Sequence, residues 1–398
     1  MLASLDSQVS SMMAALMSGQ ILQAERLAKA VLNTRPRHPK ALFTRGVIAW
    51  RKGEAKAGMS LISAAVRADP TNLSFIQSAG RQAMEIQNYD LAIYYYRLAC
   101  ATCPDLSTFA DLGLALCSIP ERSYEGFTVL ERQSLNELSK LGFSPKAPLW
   151  NGTDTEDLLI LHEGGQGDSI QFLRYAPKNS IIQAPKGLHR LYLANGFRVC
   201  DRDTFPAHSA WALLQSLPFI LGESADTASG APYLSLPPSS PASLSPGGRP
   251  RVAVVWGGSP LAPRDRLRSL AGEHLKMLLD YDKVDWIVLQ QGPHLATLNK
   301  IPIGPHVKIA VAGDFLGTAE TIMGCDLLVS VDTSVAHLGG ALGHPTWVLH
   351  STTPDMRWPA WADTRTPWYN SVRVFRQHIP ASWPEVISRV HATLENEL

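Results

Sequence analysis

A 34-residue period governs the first third of this chain. Pro36, Pro70 and Pro104 are spaced by that interval, and so are Gly46 and Gly80. A further small-residue position recurs at Ala24, Gly58, Ala92 and Gly126, and a large one at Ile62 and Tyr96. Between these marks apolar residues fall at helical spacing, over 41–52 with 55–68 and over 73–87 with 89–100. Small residues let two helix backbones approach, large ones fill the groove between them, and proline ends each pair because it cannot continue a helix. Each unit can bury its apolar face only by stacking on the next, so the pattern dictates an array of helix pairs rather than one globular core. A fourth unit over 108–134 keeps Gly126 but is degraded around Ser118-Ile119-Pro120.

This helix-turn-helix period resembles the tetratricopeptide repeat, and the resemblance implies a concave surface that binds proteins or peptides. The plainer alternative is a purely structural arm. The repeats are expected to fill residues 1–140 of the 398. That length exceeds one ordinary core, so further domains must follow. A net charge of +1 argues against a general nucleic-acid binder. No apolar run approaches the ~18 residues that a membrane-spanning helix needs. The opening MLASLDSQVSSMM has no basic stretch and carries Asp6, unlike a secretory signal. Five scattered cysteines suit a reducing compartment, and Cys100 and Cys103 form one C-x-x-C without a second pair. A cytoplasmic protein is expected.

The remainder alternates short apolar runs with helical patterns, which predicts α/β architecture. Residues 326–350, DLLVSVDTSVAHLGGALGHPTWVLH, read as a β-α-β unit. A β-branched run over 326–331 is followed by Asp332, Thr333 and Ser334, which supply N-cap chemistry. Helical spacing over 335–342 stops at Gly343 and Pro345, and 346–349 is a second strand. The Thr333-Ser334 turn places hydroxyls and free N–H groups at a helix N-terminus beyond the carboxyl end of a strand, which favours an anionic ligand. His337, in the first turn, could add a hydrogen bond or a charge. A capped helix with a packed histidine is the bland alternative.

Upstream, a strand over 157–161 enters Glu163-Gly164-Gly165-Gln166-Gly167-Asp168, and a helix is expected over 169–175. Ile170 stands where a dinucleotide fingerprint needs its third glycine, and no P-loop exists. Asp168 is placed either to face a cleft or to cap the helix. Asp201-Arg202-Asp203 follows a strand, but its arginine and the next Thr-Phe-Pro favour a solvated exit over a magnesium site. Residues 143–155 read as a linker, and the Pro-, Ser- and Gly-rich 229–250 as a boundary. Two lobes result, over 141–248 and 249–398. In the second, a strand over 251–256 opens into Gly257-Gly258-Ser259-Pro260 and then Arg264, Arg266 and Arg268. Three arginines after a strand suit bidentate phosphate contacts, with a solvated charge run as the alternative. Arg357, Trp358, Trp361 and Trp368 crowd a long loop of the kind that often carries function.

Taken together, HEGGQGDSIQFLRYAP, WGGSPLAPRDRLRS, the 326–349 unit, PDMRW and TPWYNSVRVFRQ resemble bacterial tetratricopeptide-repeat glycosyltransferases related to the heptosyltransferase group, glycosyltransferase family 9. The resemblance implies a GT-B architecture, two Rossmann-like lobes facing across a cleft, with a nucleotide-sugar donor on the C-terminal lobe. It implies no cofactor and no metal. By the same resemblance Asp168 is the candidate general base, with Gly165, Gln166 and Gly167 as its cleft loop. Thr333, Ser334 and His337, with Asp332, match the donor-diphosphate motif, and Arg266 and Arg268, with Ser259, a phosphate-side loop. Some proteins of this kind glycosylate flagellin or other proteins, so a protein acceptor held by the repeats is implied. Four positions depart from the family pattern, at Gly164, Ala262, Gln291 and Gly317.

Glycosyl transfer needs a base for the acceptor hydroxyl and positive stabilisation of the departing diphosphate. Asp168 supplies the first, and the arginine loop with the Thr333 helix start supplies the second without a metal. The expected activity is therefore a metal-independent, inverting sugar transfer. A non-catalytic adaptor that keeps the transferase fold as a binding module is the rival, supported by the four departures. A dinucleotide oxidoreductase is a distant third.

Overall fold

The computed structural model describes residues 5–137, 143, 146–225, 227–237, 248–262, 265–352, 355–359, 364–379 and 382–398, without the side chains of residues 106, 132–137 and 266. The chain forms two compact units, Met1–Ile119 and Pro120–Leu398. The first consists of helices α1 (Leu5–Met17), α2 (Ile21–Thr34), α3 (Pro39–Arg51), α4 (Ala55–Ala68), α5 (Leu73–Glu85), α6 (Tyr89–Thr102) and α7 (Leu106–Cys117). The 34-residue marks have the steric meaning expected of them. A Cβ on Gly46 would lie 2.5 Å from Ile62, and one on Gly80 would lie 2.6 Å from the Tyr96 ring. Both glycines are contact points of paired helices, where any side chain would drive the backbones apart. Asn72, Asn88 and Asp105 cap α5, α6 and α7 through their side chains.

The second unit opens with a short 3-10 turn and helix α8 (Ser123–Glu137). Within that unit the Ser123 hydroxyl accepts from the N–H of Ala225 at 3.0 Å, and Tyr124 stacks on Phe219. Strands β1 (Leu158–Leu161), β2 (Ile181–Gln183), β3 (Arg198–Cys200) and β4 (Ala210–Leu213) form a parallel sheet in the order β3-β2-β1-β4. Helices α9 (Gln166–Phe172), α10 (Lys186–Ala194) and α11 (Leu217–Ile220) connect or follow these strands. The linker expected over 143–155 is pinned to this sheet where it is described. The indole of Trp211 donates to the carbonyl of Ala147 at 3.0 Å, and Phe143 packs edge-on against Trp211. Its aromatic residues have apolar area to bury, which overrides its turn-rich composition.

Six further strands, β5 (Arg251–Val255), β6 (Asp285–Val288), β7 (Val307–Ile309), β8 (Leu327–Val331), β9 (Thr346–His350) and β10 (Val372–Arg376), form a second parallel sheet. Their order is β10-β9-β8-β5-β6-β7. Helices α12 (Asp265–Arg268), α13 (Gly272–Leu279), α14 (Phe315–Met323), α15 (Ser334–Ala341) and α16 (Trp383–Glu397) belong to this lobe. Strands β8 and β9 are buried along their whole length, as parallel strands covered on both faces must be. The architecture is thus helical repeats followed by two Rossmann-like lobes, as expected of a GT-B protein. In the second sheet the strand order reverses at the β5–β8 pair, and in the first at β1–β4. The crevice outside the carboxyl ends at such a switch point is where open α/β sheets bind ligands.

Candidate active site

The loops leaving β1, β5 and β8 line one cleft of about 870 Å³. From β8 the chain passes through Asp332 into α15. Thr333 is the N-cap, its hydroxyl accepting the Val335 N–H at 3.2 Å and lying 3.0 Å from the Ser330 hydroxyl. Thr333, Ser334 and Val335 line the cleft with the positive end of a helix dipole. Asp332 has another occupation. It accepts the Trp358 indole N–H at 2.7 Å and an Arg268 N–H at 3.3 Å, so it organises the site's cations and aromatic floor.

His337 is buried, stacks on Trp358 with ring centroids 4.8 Å apart, and meets the Tyr369 hydroxyl through Nδ1 at 2.9 Å. Burial lowers its pKa to about 4, so it is neutral at physiological pH. Of the two roles open to it in the sequence, the charge is removed and a hydrogen bond remains.

The β5 loop is held from below by Gln290. Its carboxamide oxygen accepts the N–H groups of Trp256 and Gly257, and its NH₂ donates to the carbonyl of Gly257 at 3.1 Å. Arg268 lies over Gly258 so closely that a Cβ there would fall 2.4 Å from its guanidinium. Arg268 is also paired with Asp265, whose other oxygen meets His294 at 2.8 Å. Ser259 is exposed at the cleft edge. The side chain of Arg266 lies outside the described residues, as do Arg264 and Trp361.

From the first lobe, Gly165, Gln166, Gly167 and Asp168 reach the same cleft, but as the cap and first turn of α9 rather than as a loop. The helix starts at Gln166, three residues before the expected Ser169, and Gly165 is its N-cap. Asp168 is therefore no N-cap. It occupies the third helical position and accepts the Gly165 N–H at 2.8 Å, the acid's half of a capping box. Glycine and glutamine are poor local signals for a helix start; tertiary packing supplies it instead. A Cβ on Gly167 would meet the His337 ring at 2.9 Å and the Ser334 Cα at 3.5 Å. The first turns of α9 and α15 thus touch, which brings Asp168 beside the Thr333 turn.

Gly167→Ala gives a direct test of that contact. In an exposed helix the change would gain about 1 kcal/mol of helix propensity. Here it should cost about 1–3 kcal/mol, because the stacked His337 ring cannot give way. Chemical denaturation measures the sign, and a stabilised variant would show that the two helices do not meet.

Arg357 is the residue that local sequence reading underuses. Its Nε donates to Asp168 at 2.8 Å, a terminal nitrogen bonds the same oxygen, and its other terminal nitrogen forks onto Asp355 at 2.9 and 3.1 Å. Burial alone would raise the Asp355 carboxyl, yet the Arg357 guanidinium and its backbone N–H bring it down to about 2. The carboxylates around Arg357 hold its own proton well above the ordinary arginine range, against the effect of burial. The departures from the family pattern also gain context. Gly164 has φ +71°, a backbone conformation in which any other side chain is strained, and a Cβ there would also displace the Gln215 carboxamide, 2.4 Å away. The N–H of Gly317 is taken by the side chain of Asp314, which caps α14 at 2.9 Å. Gln291 donates to the Ala312 carbonyl at the cleft wall, and Ala262 lines the same wall.

Among the described residues, no group of three or more His, Cys, Asp or Glu could hold a metal, and no helix is long and apolar enough to cross a membrane.

Residues 289–383, which include the Thr333 turn and Arg357, match glycosyltransferase family 9 (heptosyltransferase). No curated protein sequence matches the chain. Among solved structures, an O-GlcNAc transferase mutant of Thermobaculum terrenum is 14% identical, with 100% of this chain and 91% of that one covered at a TM-score of 0.33. MamA is 14% identical over 35% of this chain and 82% of its own, at a TM-score of 0.32. The chain resembles a tetratricopeptide-repeat protein joined to a family 9-like glycosyltransferase.

Proposed function

We propose that this helical-repeat protein with a family 9-like lobe is a metal-independent, inverting glycosyltransferase acting on a protein acceptor. The observation that carries the reading is the contact of α9 with α15, which sets Asp168 beside the helix N-terminus at Thr333. In the reaction, Asp168 takes the proton of the acceptor hydroxyl. The hydroxyl oxygen attacks the anomeric carbon, and the bond to the diphosphate oxygen breaks with its electron pair leaving on phosphate. Ser334 at the α15 N-terminus, neutral His337 and the arginines meet that developing charge. No cofactor enters; the nucleotide sugar is a substrate. Five free cysteines fit a cytoplasmic setting.

A titration of the full-length protein against a panel of nucleotide sugars tests the reading. Saturable binding of at least one, followed by release of its nucleoside diphosphate, is expected; binding of NAD(P) alone would replace it with an oxidoreductase. Recruitment is tested separately. Deleting residues 1–119, the first compact unit, should leave donor binding intact and abolish modification of the protein acceptor. Flagellin is one acceptor to try. Full-rate modification by the truncated enzyme would show that the arm is not the receptor.

One observation favours the adaptor reading. Among the described residues lining the cleft, the cationic side chains are Arg268 and Arg357, against the carboxylates of Asp168, Asp314, Asp332 and Asp355. Both arginines are already paired. Among these residues, an entering diphosphate meets no free guanidinium.

A further inference from the structure

The same pairing that counts against catalysis also suggests how the site is controlled. The Arg357 guanidinium makes four hydrogen bonds, two to Asp168 and two to Asp355. Asp168 has one oxygen on Arg357 and the other on the Gly165 N–H. Both lone pairs of the first oxygen are taken by the guanidinium, whose charge neutralises the carboxylate, and the second oxygen is tied to the backbone by its bond to Gly165. The cluster carries two negative charges against one positive, at the wall of the cleft where Arg357 and Asp355 are half-buried and charges are less screened than in bulk water. Two further groups fix its surroundings. Trp358, next in sequence, is anchored by its indole to Asp332, and the Arg357 carbonyl accepts the Thr366 hydroxyl at 3.1 Å. The backbone at Arg357 is therefore held while its side chain chooses among carboxylates. Asp355, two residues away and bonded to the Arg357 N–H at 2.9 Å, travels with it as a permanent partner. Asp168, 189 residues away on the other lobe, is the exchangeable one.

We propose that Arg357 is the donor-diphosphate cation of this site, and that the arriving diphosphate takes the guanidinium from Asp168, freeing that carboxylate to act as base. The inference rests on the glycosyltransferase reading. It makes the reaction ordered: the carboxylate stays neutralised by Arg357 until a donor occupies the cleft, so acceptor and water are activated only with donor in place. The planar fork of arginine suits the exchange, since it binds carboxylate and phosphate in the same bidentate geometry. Asp168 keeps its Gly165 N–H after the exchange, so it stays aimed at the cleft.

Competition for one guanidinium has a thermodynamic signature that a structural salt bridge lacks. Inorganic pyrophosphate, ADP, GDP and UDP are titrated calorimetrically into wild type, Asp168→Asn, Arg357→Gln, Arg357→Lys and the double variant that combines Asp168→Asn with Arg357→Gln, each checked by melting. Removing the competitor in D168N should tighten the bound probe by about fivefold or more. R357Q should weaken it by about tenfold or more, with R357K between it and wild type because the charge stays and the fork is lost. In the R357Q background the tightening by D168N should vanish, a coupling that a double-mutant cycle isolates. Tightening that persists without Arg357 would mean that Asp168 merely repels phosphate, and would overturn the exchange. So would unchanged affinity in both single variants. A wild-type protein that binds none of the probes would sink the glycosyltransferase reading itself, and the exchange with it.

Discussion

Asp168→Asn should slow sugar transfer by about 10²–10⁴-fold while leaving a folded, donor-binding protein, the loss typical of a missing general base. The amide matches the carboxylate in size and its oxygen can still accept the Gly165 N–H. Arg357 retains Asp355, so no unpaired charge is left buried, which is the usual reason for large destabilisation when half of an ion pair is removed. The melting temperature should therefore move by no more than a few degrees. Release of nucleoside diphosphate from the bound donor, with the protein acceptor present, gives the rate. Wild-type turnover in the variant would take Asp168 out of the chemistry. A wild-type protein that binds donor yet never transfers to its acceptor would instead decide for the adaptor.

The parts of this molecule that are legible in sequence are those fixed by short-range sterics. Gly46 against Ile62 and Gly80 against Tyr96 are local complementarities between neighbouring helices, repeated at one spacing, so the arm can be read before any coordinate. The β8-α15-β9 unit is likewise legible, because a β-branched run, Thr333 as cap and Gly343 as stop all lie within 25 residues of sequence. Asp168, Thr333, Ser334 and His337 do share one cleft. What sequence does not supply is pairing at long range. Arg357 stands in a loop crowded with tryptophans, and nothing local says that its partner is a carboxylate on the other lobe. The start of α9 is hidden for the same reason: Gly165, Gln166 and Gly167 give no clear local helix signal, and the fold holds them there because Gly167 alone fits against His337. The one available signal is the capping-box spacing from Gly165 to Asp168, weakened by a glycine where serine or threonine would announce it.

Acidification should unfold this protein well above the pH at which its carboxylates titrate. His162, His337 and His344 are each buried, and burial lowers each pKa from 6.5 to about 4. The unfolded chain binds protons at these residues between pH 6.5 and about 4 while the folded chain does not, so stability is full above 6.5 and falls as the pH drops through that window. The gap is worth roughly 3 kcal/mol per histidine, and three together approach the entire stability of an ordinary domain, about 5–15 kcal/mol. Asp355, lowered to about 2, loses its contribution only below the ordinary 3.8, so it does not mask the histidine transition. Urea midpoints taken from pH 7.5 to 4.5 should fall steeply, and His344→Asn should flatten the slope by up to about 1.4 kcal/mol per pH unit near pH 5. His344 is the informative choice because its N–H is bonded to the Gly339 carbonyl and its ring is outside the cleft lining, so donor binding does not enter. A stability profile that stays level down to pH 4.5 would mean that these imidazoles are charged, or find acid partners, inside the fold.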